Sequence, residues 1–204
     1  MSTKMLNDPP AITLVKTAIN ESKKSRPTPE SLVTALVNLE KTAKKEKEPV
    51  SYQKLIGQWR LWFITGTKKA RKRSGIALGA GRYLPNWIKI SLSYSQNHEI
   101  NLPDAEAGKV ENSVQIAGLN FTLSGPTKFF PQQKLLAFDF TEIKILIGGK
   151  PIYSGNIRGG KKRYETFYKQ PLKQQAFFRY FLLEEELIAA RGRGGGLAIW
   201  RRTS

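Results

Sequence analysis

The residues with the clearest potential for chemistry form one short segment, Arg-Gly-Arg-Gly-Gly-Gly at positions 191–196. Arginine alternating with glycine is typical of segments that bind RNA, whereas glycines between two strands are typical of a tight turn. The segment occurs once, and it lies between two apolar runs, residues 187–190 and 197–200, at the spacing of a hairpin. We therefore predict a β-hairpin whose glycines supply the positive φ angles of the turn.

Other segments resemble catalytic motifs only in part. The chain has one histidine, His98, and no cysteine, so neither a nucleophile–base pair nor a common metal site is predicted. Residues 155–162 differ from a phosphate-binding P-loop because Lys162 replaces the Ser or Thr that binds magnesium. We also predict a strand at 163–168, where a P-loop requires a helix. The adjacent acids 184–186 would point to opposite faces of a strand. The sequence therefore predicts no catalytic site.

The charge of the chain indicates an anionic partner. Its 34 basic and 16 acidic residues give a net charge of +18, which suits nucleic acid, an anionic membrane or an acidic protein. Near an anionic leaflet each basic residue contributes about 1 kcal/mol of attraction. The aromatic residues lie in apolar strands rather than among the basic runs, which disfavours nucleic acid. The basic runs, which could also be merely solvated, are Lys41, Lys44, Lys45 and Lys47; Lys68, Lys69, Arg71, Lys72 and Arg73; and Lys161, Lys162 and Arg163.

Two helices are predicted before the first strand. Apolar residues recur every three or four positions near residues 10–23 and 29–45. Thr28 can cap the second helix, and Pro29 would occupy its first position, where a missing N–H costs nothing. We predict a helical appendage over residues 1–50, followed by a β domain over residues 51–204.

From Trp59 onward the apolar period changes from the helical spacing to two. Alternation is clearest at 87–95, 118–125 and 135–149, and a change of phase near Thr141 predicts a β-bulge. Eight to ten short strands without helices between them predict an antiparallel meander that closes into a barrel. Further strands are predicted at 58–65, 163–168, 177–184, 186–191 and 197–202.

A barrel of about eight strands has room for one small ligand. The large apolar side chains would then form its wall, although the same side chains could instead fill a dry core. The candidate wall residues are Trp59, Phe63, Trp87, Ile90, Phe121, Phe138 and Phe140.

Three segments resemble the plastid lipid-associated proteins, also called plant and cyanobacterial fibrillins. Residues 138–149 are similar to a Phe-rich strand that ends in Leu-Gly-Gly in that family. The chain departs from the family at Ile188, where Arg is usual, and at Arg193, where an acid is common. A Gly-x-Trp-x-Leu-x-Tyr-Thr motif is matched by Gly57, Trp59, Leu61, Phe63 and Thr65, and a C-terminal motif by Glu184, Glu185, Leu187, Arg191, Gly192 and Gly195.

The resemblance implies a lipocalin-like antiparallel β-barrel with an N-terminal pair of α-helices. It also implies a non-catalytic protein at the thylakoid membrane that binds lipid or an isoprenoid such as a quinone or carotenoid. The basic runs would then form the surface that faces the membrane. The alternative is an assembly subunit whose basic face binds an acidic photosynthetic complex, either a photosystem or an antenna. The first ten residues have no signal or transit pattern, so we expect a cyanobacterial cytoplasmic location, or a plastid one for a mature chain.

Overall fold

A computed structural model describes residues 11–20, 25–46, 48–66 and 81–203. Two parts of the predicted basic surface, Lys47 and the run at 68–73, lie outside the described residues.

The two predicted N-terminal helices are present. Helix α1 spans Ala11–Ala18, and helix α2 spans Pro29–Ala43. The hydroxyl of Thr28 accepts a hydrogen bond from the backbone N–H of Ser31 at 3.3 Å, which caps α2 as predicted. Both helices pack against the outer surface of the β domain through one shared apolar cluster.

The β domain is a closed eight-stranded antiparallel barrel, which confirms the predicted lipocalin-like fold. The ring runs β4-β3-β1-β11-β10-β9-β6-β5 and closes because β5 also pairs with β4. The strands are β1 Gly57–Ile64, β2 Arg82–Tyr83, β3 Lys89–Asn101, β4 Glu106–Ile116, β5 Leu119–Phe130, β6 Leu135–Phe138, β7 Glu142–Ile147, β8 Lys150–Asn156, β9 Ala176–Leu183, β10 Leu187–Gly192 and β11 Leu197–Arg202.

Large side chains pack the interior of the barrel. Trp59 is fully buried, and its indole N–H donates to the backbone oxygen of Leu55 at 2.7 Å. The hydroxyls of Tyr94 and Tyr180 are 2.8 Å apart. Burial raises the pKa of both tyrosines, so these hydroxyls stay protonated and keep their hydrogen bond. The interior is therefore mostly side chain rather than open cavity.

On one side of the barrel the strands are buried on both faces. Residues 187–190 of β10 and 197–200 of β11 alternate between the barrel interior and the cluster under α1 and α2. This explains why both runs are continuously apolar in sequence. Leu32 and Leu36 of α2 are fully buried in that cluster.

The segment at 191–196 is a hairpin, as predicted. Strands β10 and β11 pair in register, and Gly195 has φ +84° in the turn. The side chain of Arg191 donates to the Gly195 backbone oxygen at 2.6 Å and to the carboxylate of Glu40 on α2, with Nε 2.8 Å from Oε1. Arg193 donates to the backbone oxygen of Gln175 at 2.7 Å. Both guanidinium groups are therefore engaged within the fold.

Strand β5 has two partners along one edge. Its residues 127–130 pair with β6, and its residues 119–124 pair with β7, which continues into β8. The predicted bulge near Thr141 corresponds to the break between β6 and β7. We call the point between these two pairings, at Gly125, the branch. The Asp139 backbone oxygen lies 2.3 Å from where a Cβ on Gly125 would be, so only glycine fits there. Strands β7 and β8 thus leave the barrel as an arm.

Some elements differ from the sequence prediction. Strands β2, β4 and β8 were not predicted. Residues 163–168, predicted as a strand, belong instead to helix α3, Gly160–Phe167. In this helix Phe167 is fully buried against the outside of the barrel, while Lys161 and Lys162 are exposed. The aromatic residues of the segment favoured a strand in sequence, but their spacing of three and four positions suits one buried helix face.

Candidate apolar binding site

The two ends of the barrel are built differently. At one end, the 3₁₀ helix Tyr52–Lys54 brings Tyr52 over the core, where its hydroxyl lies 2.8 Å from that of Thr127 and its ring stacks on Phe129. Tyr52 is fully buried, so this end is closed. The open end lies where β6 finishes and β3 and β5 begin.

Partly buried apolar side chains, three of them aromatic, line the open end, which we call the aromatic mouth: Ile90, Phe138, Phe140 and Phe178. The rings of Phe138 and Phe178 are stacked with centroids 5.0 Å apart, and Phe140 lies 5.5 Å from Phe138. Phe178 also contacts Trp200 edge-on at 5.3 Å, which couples the mouth to the filled core.

The apolar inner face continues from the mouth onto the arm. Residues paired directly across antiparallel strands share a face, and the register places Val114, Phe121 and Ile145 in one row. Phe121 is 37% exposed and Tyr153 is 52% exposed. We call this surface the apolar extension; it comprises Val114, Ile116, Leu119, Phe121, Leu123, Ile143, Ile145, Ile147 and Tyr153.

One polar side chain interrupts this apolar surface. Asn112 pairs with Leu92 on one side and Leu123 on the other, so it lies on the inner face between mouth and extension. Its Oδ1 atom is buried and has no hydrogen-bond partner among the described residues. An unsatisfied buried polar atom costs about 1–3 kcal/mol, so this position favours a ligand that supplies the missing partner.

Four of the predicted wall residues face the interior. Trp59 is fully buried inside the barrel, and Ile90, Phe138 and Phe140 lie at the mouth. Phe63 was predicted as a wall residue, but it packs under the N-terminal helices. The register of β1 against β11 shifts between Leu61 and Phe63. This bulge reverses the alternation, so Phe63 faces outward.

Two further predicted wall residues lie outside the enclosed barrel, for a different reason. Trp87 lies in a turn before β3 and is 68% exposed. Phe121 is on the inner face of β5, but it lies beyond the branch, where β6 no longer closes the barrel over it. Phe121 therefore belongs to the extension and not to an enclosed wall.

The described basic residues are distributed between the surface and internal ion pairs. Lys161 and Lys162 are exposed, whereas the guanidinium of Arg163 donates to the carboxylate of Asp139. Asp139 also accepts from the backbone N–H of Phe140 at 2.9 Å, so the Arg163–Asp139 pair holds α3 to the break between β6 and β7 beside the mouth.

The motif residues near the C-terminus are mainly structural. Leu187 is buried under α1 and α2, and Glu184 and Glu185 lie in the exposed turn between β9 and β10. The pKa of Glu40 is lowered mainly by its hydrogen bonds from Arg191, and desolvation opposes this shift. Arg191 and Gly195 therefore act together with Glu40 to fix α2 to the hairpin. Gly57 begins β1 with φ +121°, and Gly192 ends β10.

The sequence analysis missed Asn112 and Phe178. Phe178 follows Phe177 in β9, and only the register shows which ring points inward. Asn112 lies in β4, where polar residues hide the alternation. The change of phase near Thr141 places the isoleucines at 143, 145 and 147 on one face, but the sequence alone does not show that this face is open.

The fold and site define a lipocalin-like β-barrel protein with an open apolar arm. Neither the protein-family models nor the curated protein sequences gave a match to the chain. Within the described ranges, no helix is long and apolar enough to cross a membrane. In the same residues, no group of three or more acidic or histidine side chains could hold a metal ion.

Proposed function

We propose that the protein is a non-catalytic, peripheral thylakoid protein that binds a lipid or an isoprenoid of the quinone or carotenoid type. The observation that carries this proposal is the continuity of the aromatic mouth with the apolar extension, with Asn112 at their junction. The resemblance to plastid lipid-associated proteins supports the same class of ligand.

The position of the ligand follows from packing. Buried side chains such as Trp59 and Tyr180 occupy the barrel interior, so the ligand lies across the mouth and extension rather than deep inside. Fully burying a large apolar side chain contributes about 1.5–3 kcal/mol. Phe121 and Tyr153 are about a third to a half exposed and would each contribute a fraction of that value on being covered.

Asn112 gives the site a preference for ligands with one polar end. In the orientation that the structure gives, the buried Oδ1 accepts a hydrogen bond from a ligand hydroxyl; with the amide flipped, its N–H would instead donate to a quinone carbonyl. A pure hydrocarbon would leave this buried amide unsatisfied. We therefore favour a quinone or hydroxylated isoprenoid over an unsubstituted carotene.

The proposal is tested by titrating the protein with decylubiquinone and following tryptophan fluorescence, because Trp200 contacts the mouth through Phe178. Phe178→Leu should weaken quinone binding about tenfold, which corresponds to about 1.4 kcal/mol. Phe177→Leu is the matched control, since Phe177 is the preceding residue of β9 and packs outside the barrel beside Phe167. Equal affinities for the two variants would contradict binding at the mouth.

A second titration tests the role of Asn112. Asn112→Leu should weaken binding of the reduced decylubiquinol about tenfold, because it removes Oδ1 as the acceptor for a quinol hydroxyl, a buried hydrogen bond worth about 1–3 kcal/mol. Binding of β-carotene should not weaken in the same variant.

An organic-solvent extract of protein purified from photosynthetic cells should contain a quinone, carotenoid or lipid.

A second candidate function is docking onto an acidic photosynthetic complex. The observation that favours it is the charge of +18 together with the exposed lysines Lys161 and Lys162. Docking requires salt-sensitive capture of a photosystem or antenna complex that is reduced by Lys161→Gln with Lys162→Gln and unaffected by Phe178→Leu. A clean solvent extract combined with such capture would favour docking over ligand binding.

A further inference from the structure

The free end of the arm is formed by two hairpin turns at one rim. The turn at 117–118 joins β4 to β5, and the turn at 148–149 joins β7 to β8. They are held together, because the backbone N–H of Gly148 donates to the backbone oxygen of Gly118 at 2.9 Å. We call this end the rim tip; it comprises Trp87, Ile116, Leu146, Ile147 and the two turns.

The rim tip presents apolar side chains on both faces of the sheet. Ile116 and Ile147 lie on the inner face and are 39% and 53% exposed. On the outer face, Trp87 and Leu146 line a groove of about 380 Å³ that borders both turns and also contains the polar side chains of Lys89, Gln115 and Asn120. Farther from the tip the outer face is polar, with Thr122 and Lys144 paired across β5 and β7. The exposed Trp87, together with Leu146, interrupts this otherwise polar outer face at the tip.

The charges around the rim tip have one sign. Its three contributing segments, residues 87–91, 112–123 and 143–154, contain Lys89, Lys144 and Lys150 and no acidic residue. Exposed tryptophan and aliphatic side chains flanked by lysines match the boundary of a bilayer, where indole rings prefer the headgroup level and lysine ammonium groups reach anionic phosphates.

We propose that the rim tip inserts into the headgroup–acyl boundary of an anionic lipid bilayer. Insertion would present the apolar extension and the aromatic mouth to the membrane, so that an apolar ligand passes between lipid and protein without crossing water. This inference deepens the proposed function and uses a surface separate from the basic runs of the sequence. The occupant is lipid, because an edge that exposes apolar side chains on both faces and carries only lysines as charged residues suits an anionic leaflet.

Trp87 provides the direct measurement. The other tryptophans, Trp59, Trp62 and Trp200, are at most 7% exposed, so a change on membrane binding reports mainly on Trp87. With vesicles of phosphatidylcholine and phosphatidylglycerol at about 7:3, we expect a blue shift of the emission and quenching by brominated acyl chains. Trp87→Phe should lose the spectral change and still sediment with the vesicles. Sedimentation of the protein without any quenching would overturn insertion.

A charge placed in the rim tip tests its role in binding. Ile147→Asp should lower partitioning onto the anionic vesicles at least tenfold. Gln53→Asp is the matched control, because it adds the same charge at an exposed position of the closed end, and it should change partitioning less than twofold. Equal partitioning of both variants would refute the proposal. A concentration-dependent dimer that Ile147→Asp abolishes would instead assign the rim tip to a second copy of the chain.

A second pair of variants separates this inference from the proposed function. Phe178→Leu should weaken decylubiquinone binding in lipid-free solution and leave vesicle partitioning unchanged. Trp87→Asp, at an exposed rim-tip residue outside the apolar extension, should weaken vesicle partitioning and leave decylubiquinone binding unchanged. Vesicle insertion without quinone binding would refute the proposed ligand site and support membrane insertion of the rim tip. Quinone binding without vesicle insertion would support the ligand site and refute insertion of the rim tip.

Discussion

The two halves of strand β5 show how one sequence pattern serves two purposes. Residues 127–130 pair with β6, and there Phe129 is fully buried in the closed barrel. Residues 119–124 pair with β7, and there Phe121, on the same face, is 37% exposed. The difference comes from what lies opposite each half, not from the strand itself. Apolar alternation stabilises the barrel where the ring closes and leaves a binding surface where it opens.

The comparison is tested most strongly by truncating one phenylalanine in each half. Phe129→Ala should lower the free energy of unfolding by about 3–5 kcal/mol, because it leaves a cavity beside Tyr52. Phe121→Ala should lower it by less than about 1 kcal/mol, because the ring is partly solvated already. Urea denaturation of both variants measures the difference. Losses of equal size would contradict the division of β5 into a core half and a surface half.

The branch between the halves is sensitive to a single methyl group. Gly125→Ala would place a Cβ against the Asp139 backbone oxygen, and overpacking of this kind costs about 1–3 kcal/mol. Gly192→Ala is the control, since the nearest heavy atom to its added Cβ is a Phe178 ring carbon at an ordinary 3.6 Å. Thermal denaturation should show a lower midpoint for Gly125→Ala only. A normal midpoint for that variant would mean that the branch can relax.

The stability of the helix-covered side of the barrel should depend on pH. Glu40 is 7% exposed and accepts hydrogen bonds from Arg191. Glu40→Gln should lower the free energy of unfolding by about 2 kcal/mol at pH 7, a value between those typical of surface and of buried ion pairs. The pKa of Glu40 is lower in the fold than its ordinary 4.5. The contribution is therefore present above pH 4.5 and is lost as the pH falls through the lowered pKa.

Urea denaturation at pH 7 and pH 3 measures this contribution. The difference in free energy of unfolding between the wild type and Glu40→Gln should be smaller at pH 3. Glu30→Gln, at an exposed position of the same helix, should change the free energy of unfolding little at either pH. A gap that widens on acidification would contradict the Glu40–Arg191 pair as the cause.

The smallest effect is expected on the arm. Ile152 is 58% exposed on β8, and Ile152→Thr keeps a β-branched side chain in the strand. The free energy of unfolding should change by less than about 0.5 kcal/mol. Ile199→Thr, at a fully buried position of β11, should cost several times more in the same urea experiment. A large loss for Ile152→Thr would show that the arm is part of the cooperative core.

Local patterns in the sequence predicted much of the fold. The helical spacing before residue 45, the alternation after Trp59 and the glycines of the hairpin all reflect interactions between near neighbours. Phe63 was misplaced because one extra residue in β1 reverses every later side chain, and no composition marks such a bulge. The strand predicted at 163–168 was wrong because aromatic residues suit strands, yet here they bury one helix face.

The candidate site could be predicted only in part, because it depends on which strands meet. The apolar residues of the mouth and extension are visible in the sequence, but their exposure depends on the branching of β5. No local sequence pattern marks Asn112 as a site residue. Its importance comes from pairing across the sheet with Leu92 of β3 and Leu123 of β5. Burial of this kind is a property of the assembled sheet.

The pairing of β1 with β11 has a consequence for biosynthesis. Strand β11 lies between β1 and β10, and pairs such as Trp59–Arg202 join residues far apart in the chain. During synthesis on the ribosome, β1 cannot pair with β11 until nearly all of the described residues have been made. The apolar faces under α1 and α2 would remain uncovered during that time. Non-local pairing of this kind slows folding to about milliseconds or seconds. We therefore expect the nascent chain to depend on chaperones more than a protein whose neighbouring strands are also consecutive.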